Sequence, residues 1–145
     1  MRRLIEVMLV VAIALDAAYW TIWSTHRDWI ASEHDHAYYE FENAFPLADI
    51  WLGIACVLAL VTLRAGRPSA LFWLLCAGSA GLYLFGMDLL YDVQNGIFVK
   101  GGGGAFEAVI VALTLVFSVT VLSWSWRHRG ELLSGDRISQ PSAGR

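Results

Sequence analysis

The run Leu47-Ala-Asp-Ile-Trp-Leu-Gly-Ile-Ala-Cys-Val-Leu-Ala-Leu-Val-Thr-Leu63 is followed by Arg64-Ala-Gly-Arg-Pro-Ser69, then by a second apolar run from Ala70 to about Tyr91. At ~1.5 Å per helical residue, each run is long enough to cross about 30 Å of hydrocarbon. Between them lies a short turn with Gly66, Pro68 and two arginines. Two long apolar runs joined by a tight basic turn read as a membrane hairpin. Working outward, a further run spans Leu4 to about Trp23, and another Ala105 to about Trp124. The expected fold is all-α, a four-helix transmembrane bundle.

The first run opens Met1-Arg2-Arg3, as a signal peptide would. Its apolar stretch is too long for one, and no small-residue cleavage pattern precedes the polar segment, so it reads as a permanent span. Residues 1–129 form one domain on this reading. Residues 130–145, rich in Ser, Gly and Arg, read as a disordered tail.

Arg2, Arg3, Arg64, Arg67, Arg127 and Arg129 fall at one end of the spans, while Arg27 and Lys100 fall at the other. By the positive-inside rule both termini are cytoplasmic, and segments 24–46 and 92–104 face outward.

The chain has 145 residues, 57% of them hydrophobic, with a net charge of -3. Its mean hydropathy is +0.54. No basic footprint for nucleic acid is present. Seven Trp and five Tyr suit interfacial belts. Cys56 and Cys76 lie inside apolar runs and form no CxxC pair, so they read as small buried apolar residues. The spans hold no deep His for haem, and the chain has no Walker loop or dinucleotide fingerprint. No cofactor is implied.

The acids are the unusual feature. Asp16, Asp49, Asp88, Asp92 and Glu107 all fall in the outer halves of the spans. A carboxylate in or near hydrocarbon is costly, so it normally faces the bundle interior, a cavity or a partner. Asp88 and Asp92, four apart, share one helix face, with Asn95 a turn further and Tyr91 beside them. Two ionised carboxylates so close require a proton or a cation between them. Asp16 lies ~10 Å below the outer belt with no basic residue within a turn. Asp49 and Glu107 read as first-turn acids, which the helix dipole alone could explain. Glu6 reads as an interfacial ion pair beside Arg2 and Arg3.

The outer loop reads as an amphipathic helix between spans one and two. Over residues 32–45, Ser32 and Asp35 resemble a capping box. Ala37, Tyr38, Phe41, Ala44 and Phe45 recur at helical spacing, opposite a polar stripe of Glu33, His36, Glu40 and Asn43. The His36–Glu40 spacing suits a shared metal ion only weakly, and no metal site is assigned. Gly101 to Gly104 read as mobile unless packed. Ala77, Gly78, Ala80, Gly81 and Gly86 allow close helix approach, within the bundle or in a homodimer.

Glu42-Asn-Ala-Phe-Pro-Leu-Ala-Asp49 and Met87-Asp-Leu-Leu-Tyr-Asp-Val-Gln-Asn-Gly96 resemble motifs of a family of small bacterial four-span proteins that brings no known activity. The resemblance implies a bacterial inner (plasma) membrane protein in which Asn43, Pro46, Asp49, Asp88, Tyr91, Asp92, Asn95 and Gly96 act as one unit. In layout alone the chain is similar to the emopamil-binding and sigma-2-receptor group, whose acids line a pocket for sterol-like or amine ligands. Asp16 is also similar in kind to the first-helix acid of small multidrug-resistance transporters, although the long outer loop departs from that pattern.

The expected function is binding of a small amphiphile or cation in an outward acidic pocket. Asp16, Asp49, Asp88, Asp92 and Glu107 would supply the negative field, and Trp20, Tyr38 and Tyr91 apolar contact, with Asn43 and Asn95 alongside. The bilayer is the surrounding partner. The alternatives are an enzyme on a lipid-soluble substrate, a proton-coupled transporter centred on Asp16, and a structural subunit of a membrane complex.

Overall fold

A computed structural model describes residues 1–31 and 36–134, apart from the side chain of Ala37. Helix α1 spans Arg2–His26 and runs into a 3-10 turn, Arg27–Trp29. A short helix, α2, covers His36–Glu42. Then come α3, Pro46–Arg64, and α4, Ser69–Asn95. A 3-10 turn, Ile97–Val99, leads to α5, Gly101–Arg127, and a last short helix, α6, covers Arg129–Ser134. Four helices are long and apolar enough to cross a membrane, in the stretches Arg2–Trp29, Tyr38–Arg64, Ser69–Asn95 and Gly101–Arg127.

The helix ends follow local chemistry. Pro46 opens α3 at the position where its missing N–H costs nothing. Beyond α3, Gly66 adopts φ 62° and the Arg67 N–H bonds to Thr62 O at 2.9 Å, a Schellman-type stop. Gly96 ends α4 in the same left-handed region, at φ 63°.

The glycine run departs from expectation. Gly101–Gly104 form the first turn of α5, with Gly104 buried against the Ile97 carbonyl, where a Cβ would collide with backbone. The helix therefore starts earlier than the apolar run, and Glu107 is no first-turn acid but lies nearly two turns in. Arg129–Ser134 are helical where the sequence reads as tail, and residues 135–145 fall outside the described part. Ser32 and Asp35 of the expected capping box also lie outside it.

Helix α4 packs along both α3 and α5, and α1 packs along α3. The apolar core is confined to one end of these helices. It joins Ile5 and Leu9 of α1, Ala55, Cys56, Ala59 and Leu63 of α3, Ala70, Leu74 and Ala77 of α4, and Phe117, Val121 and Trp124 of α5. This is the end that carries Arg2, Arg3, Arg64, Arg67, Arg127 and Arg129. Three hydroxyls in this half bond within their own helices. Thr62 donates to Leu58 O at 2.5 Å, Ser118 to Thr114 O at 2.7 Å and Ser125 to Val121 O at 2.6 Å. Glu6 lies between Arg2, at 3.3 Å, and Arg64, at 3.5 Å. The expected ion pair forms, with Arg64 as the second cation.

Many large apolar side chains point outward along the helices, among them Val11, Leu15, Ile50, Ile54, Val57, Val61, Leu113 and Val116. That much exposed apolar surface is what lipid contact requires and water penalises.

The small residues of α4 are used inside the molecule. A Cβ on Gly78 would lie 2.6 Å from Leu122 Cγ, and one on Gly81 2.5 Å from Ser118 Oγ. Gly86 meets nothing within 4 Å. Gly78→Val is therefore expected to push α4 from α5 and cost about 1–3 kcal/mol. Gly86→Ala should be neutral or stabilising by up to about 1 kcal/mol. Thermal unfolding of both variants in detergent checks this contrast, and equal melting temperatures would refute it.

Candidate functional site

At the end away from the arginines, the acids gather beneath α2. The groups that act electrostatically on Asp88 are the carboxylates of Glu107, Glu42, Asp49 and Asp92. Glu107 also acts on Asp92 and Glu42. Asp49 is coupled in turn to Asp16 on α1. Asp16 reaches α3 where Gly53 leaves room, since a Cβ there would come within 2.9 Å of its Oδ2. Six carboxylates from five helices thus form one chain of neighbours.

Their hydrogen bonds come mainly from aromatic residues. The Tyr19 hydroxyl donates to Glu42 Oε2 at 2.7 Å. Tyr38 also hydrogen-bonds to Glu42. Trp20 Nε1 donates to Asp49 Oδ2 at 2.9 Å, and Trp23 Nε1 donates to Asn43 Oδ1 at 3.2 Å. Asp92 stands apart: the residue is 3% exposed, and its buried Oδ2 has no hydrogen-bond partner among the described residues. Native structures leave few buried polar atoms unpaired, so this one marks either a strained group or an absent partner.

Helix α2 is held over the acids by rings. Phe41 stacks on Tyr91 with centroids 3.7 Å apart. Tyr38, 1% exposed, lies 6.2 Å from Tyr91 and 6.3 Å from Trp23. Arg27 sits over the Tyr39 ring at 4.5 Å, outside the cluster.

Most residues singled out in the sequence come together here: Asp16, Trp20, Tyr38, Asp49, Asp88, Tyr91, Asp92 and Glu107. Asn43 is at the rim, exposed and bonded to Trp23. Asn95 is not part of the cluster. It is exposed, and its amide turns back to donate to Tyr91 O at 2.9 Å. His36 and Glu40 do approach each other, at 3.5 Å, but on the exposed side of α2. Glu33, His34 and Asp35 lie outside the described residues.

Sequence reasoning missed Glu42 and Tyr19. A signal existed for Glu42: it follows Tyr38 by four residues and so shares the aromatic face of α2, where an acid must find a partner. Tyr19 had no such signal, because α1 is apolar nearly all round.

Two cavities stand out, and the six carboxylates line neither. One, of about 770 Å³, is a lateral groove between α3 and α4, lined by Leu47, Trp51, Cys76, Ala80, Tyr83 and Leu84 among others. The other, of about 250 Å³, opens at the arginine-bearing end.

The Tyr19–Glu42 bond is expected to hold α2 down. Tyr19→Phe should destabilise by about 1–2 kcal/mol and speed amide exchange over residues 36–42. Exchange unchanged in that segment would show that the rings alone hold α2. No protein-family model, curated protein or solved structure matches this chain.

Proposed function

We propose that this chain is a multi-pass membrane protein, both termini cytoplasmic, whose outer acidic cluster binds the cationic head of a small amphiphile. The observation that carries this reading is the cluster itself. Asp88 lies within electrostatic reach of four other carboxylates, and Asp92 keeps a buried oxygen without a partner among the described residues. Like charges so placed repel, and burial removes the water that would screen them. A cation among them relieves both costs.

The surroundings favour an organic cation. Tyr38, Phe41, Tyr91, Trp20, Trp23 and Tyr19 supply ring faces and edges around the acids. Aromatic faces attract ammonium groups, and more strongly when water is excluded. Helix α2, amphipathic and seated at the outer interface, serves as the lid that closes over the head.

The groove between α3 and α4 favours an amphiphile over a bare ion. Its lining includes Ala48, next in sequence to Asp49, and Leu84, one helical turn before Asp88. Its volume of about 770 Å³ lies within the roughly 300–1,000 Å³ of small-molecule sites. An alkyl or ring tail would lie there while the head sits among the acids.

The expected outcome is that alkyltrimethylammonium compounds raise the melting temperature of the purified protein, while uncharged analogues of equal chain length do not. A hundredfold excess over Kd corresponds to about 2.7 kcal/mol of added stability. Asp88→Asn should abolish the shift and leave the unliganded melting temperature nearly unchanged. Normal binding by that variant would remove Asp88 from the site, and an equal response to the uncharged analogue would end the cation reading.

A further inference from the structure

The arginine-bearing end holds a second polar feature, distinct from the acid cluster. The cavity of about 250 Å³ lies between the start of α1, the α3–α4 turn, the end of α5 and α6. Arg2, Arg67, Trp124, His128 and Glu131 supply its polar lining.

Each of these groups is positioned by the fold. Arg2 is fixed at the rim, its Nη2 donating to Leu63 O at 2.6 Å. Arg67 follows Gly66, whose φ of 62° makes the tight turn between α3 and α4. Arg67 takes part in none of the ion pairs among the described residues. The Trp124 ring stacks on His128 with centroids 4.9 Å apart, and His128 Nδ1 lies 2.9 Å from Trp124 O. Trp124 is only 7% exposed, yet its indole N–H is buried without an acceptor. A buried donor left unpaired among the described residues is costly, so its retention points to an acceptor beyond them.

We propose that this cavity binds the phosphodiester of a membrane phospholipid. Arg67 and Arg2 provide the positive charge, and the Trp124 N–H provides a hydrogen bond to a phosphate oxygen. The site lies where the long apolar helices end, at the level of lipid headgroups. Basic pockets between membrane helices are suited to phosphate headgroups in that position. Arginine matches phosphate oxygens with its planar fork of donors. Glu131 at the cavity wall decides between two sources of phosphate. A carboxylate there opposes a free phosphate dianion more than a phosphodiester, which carries a single negative charge.

The test uses the full chain in detergent, with phosphatidylglycerol or diacylglycerol of the same acyl chains added to the micelles. Inorganic phosphate is added in a third arm at matched ionic strength. Phosphatidylglycerol should raise the melting temperature and stay bound in native mass spectrometry, and diacylglycerol should do neither. Arg67→Gln, an exposed turn substitution, should weaken phosphatidylglycerol binding about tenfold or more, and Trp124→Phe about fivefold. Trp124→Phe also removes the pyrrole half of a core indole, so it is read by the shift that lipid produces in its own melting temperature rather than by that temperature without lipid. Equal responses to the two lipids, or unchanged binding by both variants, would overturn the proposal. A response to inorganic phosphate as large as that to phosphatidylglycerol would overturn the lipid assignment.

Discussion

A carboxylate on an apolar helix must be compensated, and the acid-bearing end of this molecule is arranged around that constraint. Asp16, Asp49, Asp88, Asp92 and Glu107 come from four helices whose remaining surface is almost wholly apolar. None can turn toward lipid at tolerable cost, so all turn toward one another. Glu42 joins from α2, and hydroxyl and indole donors from Tyr19, Tyr38 and Trp20 reach into the group. The aromatic roof follows from the same constraint, because rings exclude water while offering edges and N–H or O–H groups to acids. The opposite half has no such demand. Its core hydroxyls bond to carbonyls one turn back, amid apolar packing.

The four long helices were legible because their apolar runs are long and end in turn chemistry, as at Gly66-Arg67-Pro68 and Asn95-Gly96. The gathering of Asp88, Asp92, Asp49 and Glu107 was legible in outline, since depth along a span predicts which acids can meet. Three points were not legible, for identifiable reasons. Glycine entropy suggested mobility for Gly101–Gly104 unless packed, and the close approach of Gly104 to the Ile97 carbonyl supplies packing that requires a residue without Cβ. The packing overrides the propensity. Asn95 looked like an extension of the Asp88–Asp92 face, but at the helix end its own backbone carbonyl partner is nearer. Glu42 was passed over because it interrupts an aromatic face, which is where an acid is most constrained.

The division into halves also bears on mechanism. Transport by Asp16 would need a polar path from the acid cluster to the arginine end. Between them lie Leu9, Cys56, Ala59, Leu74, Ala77, Phe117 and Val121, close-packed and apolar. The small residues that could loosen such a core are already spent in contacts of α4 with α5, as Gly78 against Leu122 and Gly81 against Ser118 show. Opening a route would break the packing that joins the four helices. A site that loads and unloads from one side, by movement of α2, requires only that the ring contacts of Phe41 and Tyr38 and the bonds to Glu42 be released.

Two buried side-chain atoms in the described residues have no hydrogen-bond partner: Asp92 Oδ2 and Trp124 Nε1. They lie at opposite ends of the molecule and are of opposite kind. The acceptor sits among acids, where no donor of the described residues reaches it. The donor borders a cavity that is also lined by Arg2, Arg67 and His128. Chance packing defects have no reason to sort by chemical type, whereas ligand sites do. An unpaired acceptor inside a negative field asks for a cation, and an unpaired donor beside positive charge asks for an anion. The same physics that makes each atom costly in isolation makes each end complementary to a ligand of the opposite sign.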